Sequence, residues 1–450
     1  MSENTESQLT AKELEIARKY DLTGKISQFL DRHLIYPLLE SLDLLYNDQI
    51  VTRLVYDLLK DTNMTTFVKQ QFEILNPGKP FPEELLAKET FVESELEKLD
   101  KETKETLNIL SDKSVQDHLK QDKEYNTQYL EKEHGITQAK IKALYDFAQF
   151  QYNRGDYVMA SDLLNNFRVL STNVDAIVSA TWGRLASEII SLQWDTALQE
   201  LSKLREVVDS RSFNDPLMQL HNRTWIIHWS LFPFFNTENG LDQLCDLFFS
   251  SSYLSTIQAS CPWISRYLVA AVVCLYSSSR KSQSSSPAFQ KRLKDLIRVV
   301  GQEQYEYNDP LTEFIKALYI EYDFELARDK LSEATAVIKT DFFLASGATN
   351  FAENARYLIS EVYCRVHQRI ELSQLSNYLD LSTEDGEKWI AKLIRDSKMN
   401  AKIDESEGTI IMNHPITSVY QEVIEKTKGL SFRSSQVLAS VVQKQENTVQ

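Results

Sequence analysis

The chain contains little glycine and proline, with 11 and 10 residues in a length of 450. Because glycine loosens helices and proline interrupts them, this scarcity favours long helices joined by short connections. Cysteine is also rare, and the four cysteines lie far apart without a C-x-x-C pair. They are Cys245, Cys261, Cys274 and Cys364. This spacing argues against a disulfide framework or a zinc site, and it predicts buried, unbonded thiols in a reducing compartment.

Long apolar runs are missing as well. No stretch approaches the length of about 18 uncharged apolar residues that a transmembrane helix requires. The first residues, MSENTESQLTAKELE, are polar and acidic and lack the hydrophobic segment of a secretory signal. We therefore expect the protein in the cytoplasm, and the nucleus is the other compartment that agrees with these features.

Basic residues are fewer than acidic ones: the chain has 49 Lys and Arg and 65 Asp and Glu, which gives a formal net charge of −16. This balance disfavours binding to bulk nucleic acid or to anionic membranes, although it leaves room for a local basic patch.

Sequence motifs for catalysis are not found. The chain has no G-x-x-x-x-G-K-[ST], no G-x-G-x-x-G and no H-E-x-x-H. His221 and His228 could share a helix face, but no cysteine or carboxylate lies beside them at ligand spacing, so we interpret them as structural histidines. A catalytic triad is assembled in space and needs no local motif. The residues nevertheless indicate a protein that is not an enzyme, with no catalytic, cofactor-binding or metal-binding residue and no cofactor to assign.

Helical patterns dominate the N-terminal part. Residues 1–10 are expected to be disordered, and residues 11–135 to form an N-terminal helical domain. Within it, Pro37 interrupts an apolar stripe and should kink or split its helix. The highly charged segment Glu83–Glu133 is typical of a solvated helix with ion pairs along its surface.

A loose repeat follows, in which an aromatic residue precedes Ala by three positions and Leu by seven. Its copies are Tyr157/Ala160/Leu164, Trp194/Ala197/Leu201 and Phe324/Ala327/Leu331. A small Ala lets two helices approach closely, and stacked hairpins bury faces that a single hairpin would expose. The pattern predicts a right-handed, tetratricopeptide-like helical solenoid over residues 136–345. Within this range Arg223–Phe235 should be a core helix, because it is apolar on every side, and Ser277–Pro287 a surface loop.

The stretch Ile370–Met412 predicts a winged helix, which we place at residues 346–414. Leu372 and Leu375 share one face of a short helix, and Trp389 and Ile390 lie on one face of a second helix. Two short strands, at 401–403 and 409–412, form a hairpin after these helices.

The charges of this module favour a protein partner over DNA. Ile370–Met412 carries nine acids and five bases, whereas a DNA-reading helix needs net positive charge near the phosphates. Lys388, Lys392 and Arg395 on the second helix keep nucleic-acid binding as an alternative. The edge of the hairpin could instead pair with a partner strand. We assign partner docking here to Lys402, Asp404 and Ile410.

Residues 415–450 should form a C-terminal helix and tail. The helix is expected to begin near Val419 and to be interrupted at Gly429. A narrow apolar stripe then continues at Val437, Leu438 and Val441. Because no further folded domain remains to cover that stripe, we predict that these three residues dock onto partner helices in a bundle.

The order of helical repeats, winged helix and terminal helix resembles that of PCI-domain proteins, which provide scaffold subunits to the proteasome lid, the signalosome and translation initiation factor 3. Several strings are similar to one family among these, the e subunits of eukaryotic translation initiation factor 3. They include DRHLIYPLLE at 31–40, DTNM at 61–64, RTWIIHWSL at 223–231, ENAR at 353–356, AKID at 401–404, IEKTK at 424–428 and LSFR at 430–433. Relative to that family, the Ser-rich stretch at 277–287 resembles an insertion or a divergent loop.

The resemblance implies a non-enzymatic scaffold subunit of this initiation factor. It places the start of the PCI helical part at about residue 220 and implies neighbours among the c, d and l subunits. Through the assembled factor it implies binding to the 40S ribosomal subunit and recruitment of mRNA. A PCI scaffold of the proteasome lid or the signalosome is the alternative, and a nucleic-acid-binding winged-helix protein is a third.

Overall fold

A computed structural model describes residues 10–112, 115, 123–211, 215–281, 287–378, 383–397, 401–404, 408–412 and 419–449. The chain divides into two compact units, Met1–Ile359 and Ser360–Gln450. Both are mainly helical, and the described strands all lie in the second unit. The predicted fold class is confirmed: helical repeats are followed along the chain by a winged helix and a terminal helix.

The helices that begin in the first unit are α1 (Ala11–Lys19), α2 (Thr23–Ile26), α3 (Arg32–Ser41), α4 (Asp48–Leu59), α5 (Thr65–Leu75), α6 (Glu83–Ser111), α7 (Lys123–His134), α8 (Gln138–Arg154), α9 (Tyr157–Leu170), α10 (Val174–Ile190), α11 (Trp194–Ser210), α12 (Pro216–Asn236), α13 (Gly240–Phe248), α14 (Ser251–Ser260), α15 (Ser265–Lys281), α16 (Pro287–Glu303), α17 (Pro310–Lys316), α18 (Phe324–Thr340) and α19 (Ala348–Val366). Short 3₁₀ segments lie at Ser27–Phe29, Leu42–Leu44, Pro262–Ile264 and Ala345–Gly347, and a π-helical turn lies at Ala317–Glu321. The second unit contains β1 (Arg369–Glu371), α20 (Leu372–Tyr378), α21 (Thr383–Ser397), β2 (Ala401–Asp404), β3 (Thr409–Met412) and α22 (Val419–Val449).

The three predicted repeat copies occupy equivalent places in helical hairpins. Each aromatic residue is the first residue of its helix: Tyr157 in α9, Trp194 in α11 and Phe324 in α18. The alanine three positions later is 0% exposed in every copy. Each of these helices packs against the helix before it, α8, α10 and α17 respectively. The small side chain therefore lies where two helices approach each other, as the pattern predicts.

The turn before each repeat aromatic also recurs. Two positions before the aromatic the backbone is left-handed, with φ of 98° at Gly155, 59° at Leu192 and 56° at Tyr322. Glycine adopts this conformation freely, but a side chain makes it unfavourable by roughly 1–2 kcal/mol. At Leu192 and Tyr322 the packing of the two helices therefore imposes a turn that the local sequence disfavours.

The N-terminal segment is hydrogen-bonded to helices far along the chain. The Trp229 indole Nε1–H donates a 3.0 Å hydrogen bond to the carbonyl oxygen of Phe29. The Arg266 Nη2 donates a 2.7 Å bond to the carbonyl oxygen of Tyr20, 246 residues earlier. Helix α1 also packs against α18. The first unit is therefore closed by contacts between its N-terminal segment and helices in its later part.

A second set of hydrogen bonds joins α3 to the first repeat. The Asp31 carboxylate accepts hydrogen bonds from the backbone N–H of His33, at 3.2 Å, and from the Tyr152 hydroxyl, at 2.7 Å. The His33 Nδ1 lies 3.0 Å from the Tyr157 hydroxyl. Burial and the nearby Asp31 carboxylate raise the pKa of Tyr157 to about 12, which keeps this hydroxyl protonated as a hydrogen-bonding group.

Arg266 lies at the centre of the first unit, with only 2% of its side chain exposed. Its guanidinium contacts the carboxylates of Asp309, at 2.7 Å, and Asp341, at 3.4 Å. The hydroxyls of Tyr307 and Tyr267 donate to the same two carboxylates, at 3.1 Å each. Burial raises the pKa of Asp341, while the nearby Arg266 cation opposes that shift. Charged groups that are buried away from water must be paired with opposite charges. This cluster therefore connects the α1–α2 turn, α15, α17 and the end of α18.

The structural role predicted for His228 is confirmed. The ring is fully buried in α12 and stacks on Phe29 with 4.6 Å between the ring centroids. Its Nδ1 lies 2.7 Å from the Thr224 carbonyl oxygen, so this nitrogen carries the proton and donates. Its Nε2 then accepts from the indole N–H of Trp263 at 3.1 Å. Burial lowers the pKa of His228 to about 4, so the ring is neutral at physiological pH.

Other local predictions had mixed outcomes. The core helix predicted at Arg223–Phe235 is confirmed within α12. Helix α3 is not split at Pro37, because burial of Leu34 and Leu38 on its apolar face outweighs one lost backbone hydrogen bond. The loop predicted at Ser277–Pro287 is wrong at its start, since α15 continues to Lys281 and residues 282–286 lie outside the described residues.

The remaining predictions on the first unit concern its ends and its cysteines. Of the predicted disordered N-terminus, residues 1–9 lie outside the described residues, and Thr10 caps α1. None of the four cysteines forms a disulfide, and three of them are buried. Among the described residues no single helix is long and apolar enough to span a membrane, while the bent pair Ser251–Ser260 and Pro262–Tyr276 meets that criterion only together, at an angle of 117°.

Substitution of Arg266 by Leu should destabilise the chain by about 3–5 kcal/mol, because two buried carboxylates lose their cation. The control is Arg292→Leu, which removes ion pairs to the exposed carboxylates of Asp242 and Asp246 and should cost about 0–1 kcal/mol. Urea unfolding of the full chain measures both values. Equal shifts of the two midpoints would contradict the assigned role of Arg266.

Candidate docking surfaces

The sheet of the second unit has three strands in the order β1-β3-β2, all antiparallel. Strands β2 and β3 confirm the predicted hairpin. Strand β1 was not predicted; it pairs Ile370 with Ile410 and makes β3 the central strand. Among the described residues, β2 pairs only with β3, so the hairpin presents β2 as a sheet edge.

One face of this sheet forms the core of the module. Ile370 and Ile410 are both 0% exposed, as are Leu375 of α20 and Ile390 of α21. Ile410 therefore lies in the core, and the docking role that we predicted for it needs correction. Its neighbour Ile411 points to the opposite face and is 41% exposed.

The pairing pattern determines which backbone groups face the open edge. Met412 donates to the carbonyl of Gln368 and Leu372 to that of Gly408, so the even-numbered residues of β3 face β1. Ile411 and Thr409 must then bond to β2, through Lys402 and Asp404.

The other residues of β2, Ala401 and Ile403, consequently direct their N–H and C=O groups outward. An outward row of this kind is the template for addition of a partner strand. Of the predicted docking residues, Lys402 has an exposed side chain on this strand, and Asp404 lies at its end opposite Thr409.

Helix α22 provides a second surface. It runs without a break for 31 residues, which corresponds to roughly 46 Å. The interruption predicted at Gly429 is wrong, since one glycine costs a helix only about 1 kcal/mol. The predicted docking residues are all exposed, at 61% for Val437, 67% for Leu438 and 47% for Val441.

The exposed stripe on α22 is longer than the one predicted at Val437, Leu438 and Val441. Val419, Val423, Leu430, Val437 and Val441 follow one another at spacings of four or seven residues, which places them on one helical face. All five are at least 47% exposed. The stripe therefore extends along most of α22, and its spacing suits a partner helix packed alongside.

Small hydroxyl residues lie along one side of this stripe. Thr427 and Ser431 flank Leu430, and the Thr427 hydroxyl donates to the Val423 carbonyl oxygen at 2.7 Å. Phe432, 65% exposed, lies away from the stripe and was not assigned from the sequence. Small side chains at a helix surface allow a second helix to approach closely.

Helix α21 carries the groups on which the nucleic-acid alternative depends. Lys388, Lys392 and Arg395 are exposed, and Trp389 is half-buried. Part of the acidic complement of Ile370–Met412 falls outside the described residues. Across the described parts of the chain no group of three or more His, Cys, Asp or Glu side chains could hold a metal ion.

Three family models match the chain. The eIF3 subunit 6 N terminal domain matches residues 21–151, and the PCI domain matches 331–414. The C-terminal region of the E subunit of eukaryotic translation initiation factor 3 matches 418–439. The last two ranges contain the described sheet and the N-terminal two thirds of α22.

Curated relatives are similar over nearly the whole chain. Proteins named as the E subunit of eukaryotic translation initiation factor 3 from Yarrowia lipolytica, Aspergillus terreus and Aspergillus oryzae are 56%, 51% and 51% identical to it. The alignments cover 93%, 93% and 96% of this chain, and 98%, 94% and 94% of the relatives.

Neighbouring isoleucines on β3 test the burial assignment. Ile410→Ala should destabilise the module by about 2–5 kcal/mol, because it leaves a cavity in the core. Ile411→Ala removes a partly exposed side chain and should cost only about 0.5–1 kcal/mol. Hydrogen exchange of the β3 amides in the full chain, followed by mass spectrometry, measures the difference. Equal loss of protection in both variants would contradict the assigned faces.

Proposed function

The chain belongs to the family of E subunits of eukaryotic translation initiation factor 3, and from this premise we propose that it is a non-enzymatic scaffold that assembles the factor through the second unit. Family membership makes it a subunit of translation initiation factor 3 and a cytoplasmic translation factor. The proposal adds the means of assembly: strand addition at β2 and helix packing along α22.

The exposed apolar stripe of α22 carries this proposal. A helix of 31 residues with an aliphatic face that is at least 47% exposed is unfavourable in water. Partner helices that cover the face would remove that cost. The same requirement explains why the stripe keeps the spacing of a packed helix although its side chains are exposed among the described residues.

For partners we propose the c, d and l subunits, which the family resemblance implies. Through the assembled factor, the chain would support binding to the 40S ribosomal subunit and recruitment of mRNA. We place the docking modules at residues 346–414 and 415–450, after an N-terminal helical domain at 11–135 and repeats at 136–345. The PCI family match ends at residue 414, which supports the boundary before the terminal helix.

The alternatives have less support. Relatives at 51–56% identity that carry the name of this initiation-factor subunit argue against a scaffold of the proteasome lid or the signalosome. A nucleic-acid-binding winged helix would need net positive charge, whereas Ile370–Met412 is acidic.

Leu438→Asp should reduce co-purification of the other factor subunits with the tagged full chain by about tenfold, because it places a charge beside Val437 and Val441, on the apolar surface that partner helices would cover. The matched control is Gln436→Asp, an exposed residue on the opposite face of α22. Thermal unfolding of both purified chains should match the wild type, since both positions are exposed. Wild-type assembly by Leu438→Asp would refute docking through α22.

Ala401→Pro tests strand addition at β2. Proline removes an N–H that faces outward and leaves the β2–β3 ladder intact, so only an added strand loses a hydrogen bond. Ala401→Val keeps the N–H and is the control. Partner co-purification should weaken for Ala401→Pro alone, with unchanged hydrogen exchange at β3. Equal assembly by the two variants would show that the edge is not used.

A further inference from the structure

The first unit contains a cavity of about 120 Å³ that opens to solvent. It lies between the end of α12, the start of α13, α15, the end of α18 and the segment that leads into α19. Its floor is apolar, and none of the floor side chains is more than 4% exposed. The floor residues are Ala270, Ile338, Phe343, Leu344 and Phe351. We call this space the α15 cavity.

Small side chains leave the α15 cavity open. Ala270 and Cys274 lie four residues apart on α15, so they share the face that lines the cavity. Gly347 lines it as well, and a Cβ atom at that position would lie 4.0 Å from the Cys274 sulfur, an ordinary contact distance. Burial raises the pKa of Cys274 to about 12, so its thiol stays protonated and behaves as a small apolar group. The cavity therefore exists because these three positions hold small residues.

The polar lining residues lie at the mouth of the cavity. Glu238, Ser346 and Asn350 are exposed, and Thr237 is half-buried. Glu238 is the one charged side chain among the described residues that line the cavity. A matching occupant is therefore apolar at its tip, and it is polar and positively charged where it emerges into water.

The volume of the cavity limits the size of that tip. A cavity of roughly 150 Å³ lined by aliphatic and aromatic side chains stays dry and holds one benzene ring. A space of about 120 Å³ suits a slightly smaller group, such as the branched four-carbon side chain of leucine, and it is too small for an indole. A leucine on a peptide also satisfies the polarity of the cavity, because its backbone emerges at the polar mouth.

We propose that the α15 cavity binds a leucine side chain of a partner protein, on a linear segment that carries Lys or Arg next to the leucine. The leucine fills the apolar floor and the neighbouring cation lies against Glu238. Interfaces commonly place a buried anchor in a pocket that is surrounded by a polar rim. The inference goes beyond the proposed function, because the cavity lies in the first unit and its described lining uses neither β2 nor α22.

Gly347→Met and Gly347→Ala are a matched pair of variants that test this site. The flexible methionine side chain extends toward Cys274 and fills the cavity, whereas alanine adds only the Cβ atom. The backbone of Gly347 lies outside the left-handed region, so neither substitution strains it. Thermal unfolding of both purified full chains should match the wild type.

Phage display of random twelve-residue peptides on the wild-type full chain identifies the occupant. The selected peptides should share a leucine beside a Lys or Arg. In fluorescence anisotropy, a fluorescein-labelled consensus peptide should bind Gly347→Met at least about tenfold more weakly than the wild type, and Gly347→Ala within about twofold. Replacement of the peptide leucine by alanine or tryptophan should also weaken binding by about tenfold.

A charge reversal at the mouth tests the site without altering the floor. Glu238→Lys should weaken binding of the consensus peptide by about three- to fivefold, because the peptide cation then meets a cation. Glu206→Lys makes the same charge change at an exposed position of α11 and should alter binding by less than about twofold. Equal losses in these two variants would overturn the role of Glu238 and the cationic neighbour of the leucine.

Four outcomes would overturn the proposal as a whole. Equal binding by Gly347→Met and Gly347→Ala is one, and a selection without a shared leucine beside a cation is another. If benzene raises the thermal midpoint of the wild type but not of Gly347→Met, and no peptide motif is selected, the cavity belongs to a small apolar molecule. Dimerisation of the wild-type chain in sedimentation velocity that Gly347→Met abolishes would assign the cavity to a second copy.

The result is separable from the test of the proposed function. The Leu438→Asp and Ala401→Pro chains keep the α15 cavity intact, so both should bind the consensus peptide like the wild type. A chain that depends on Leu438 for assembly but does not distinguish Gly347→Met from Gly347→Ala would overturn the α15 cavity alone. Peptide binding that requires the open cavity, in a chain whose assembly ignores Leu438→Asp, would support the cavity and contradict docking through α22.

Discussion

The first unit depends on the neutralisation of one buried cation. Arg266 is 2% exposed, and it is held by two carboxylates and a backbone carbonyl from three separate parts of the chain. An uncompensated charge at this depth would cost several kcal/mol, so the helices that supply Asp309 and Asp341 must stay in place around it. The carbonyl of Tyr20 belongs to the N-terminal segment, and its bond to Arg266 connects that segment to helices near the end of the unit. The contacts that neutralise the buried charge are therefore the same contacts that join the N-terminal segment to the later helices.

The second unit differs from the first because it leaves surfaces with hydrogen-bonding or apolar groups exposed. Its core uses one face of a three-stranded sheet, while the β2 edge and the stripe of α22 remain accessible among the described residues. These two surfaces differ in chemistry, since β2 presents backbone hydrogen-bonding groups and α22 presents aliphatic side chains. Surfaces of different chemistry suit different partners, as the proposed docking role requires.

Much of the fold follows from local patterns, and the parts that do not are set by tertiary contacts. The aromatic–Ala–Leu spacing located the hairpins because close packing requires a small residue at a fixed position. Strand β1 was missed because three residues carry no periodic signal and its partner strand lies some forty positions later. The sequence alone does not reveal which of the adjacent isoleucines at 410 and 411 is buried, so docking was assigned to Ile410, which lies in the core. Arg266 and its carboxylates are 43 and 75 residues apart, beyond the reach of any local pattern.

The central claim is that this chain works as an assembled subunit of translation initiation factor 3. Native mass spectrometry of the complex purified from cells through a tag on the full chain tests it most directly, together with sedimentation of the same complex. We expect a multi-subunit initiation factor that contains this chain and sediments with the 40S ribosomal subunit. Recovery with the proteasome lid or the signalosome, or recovery of the chain alone, would contradict it.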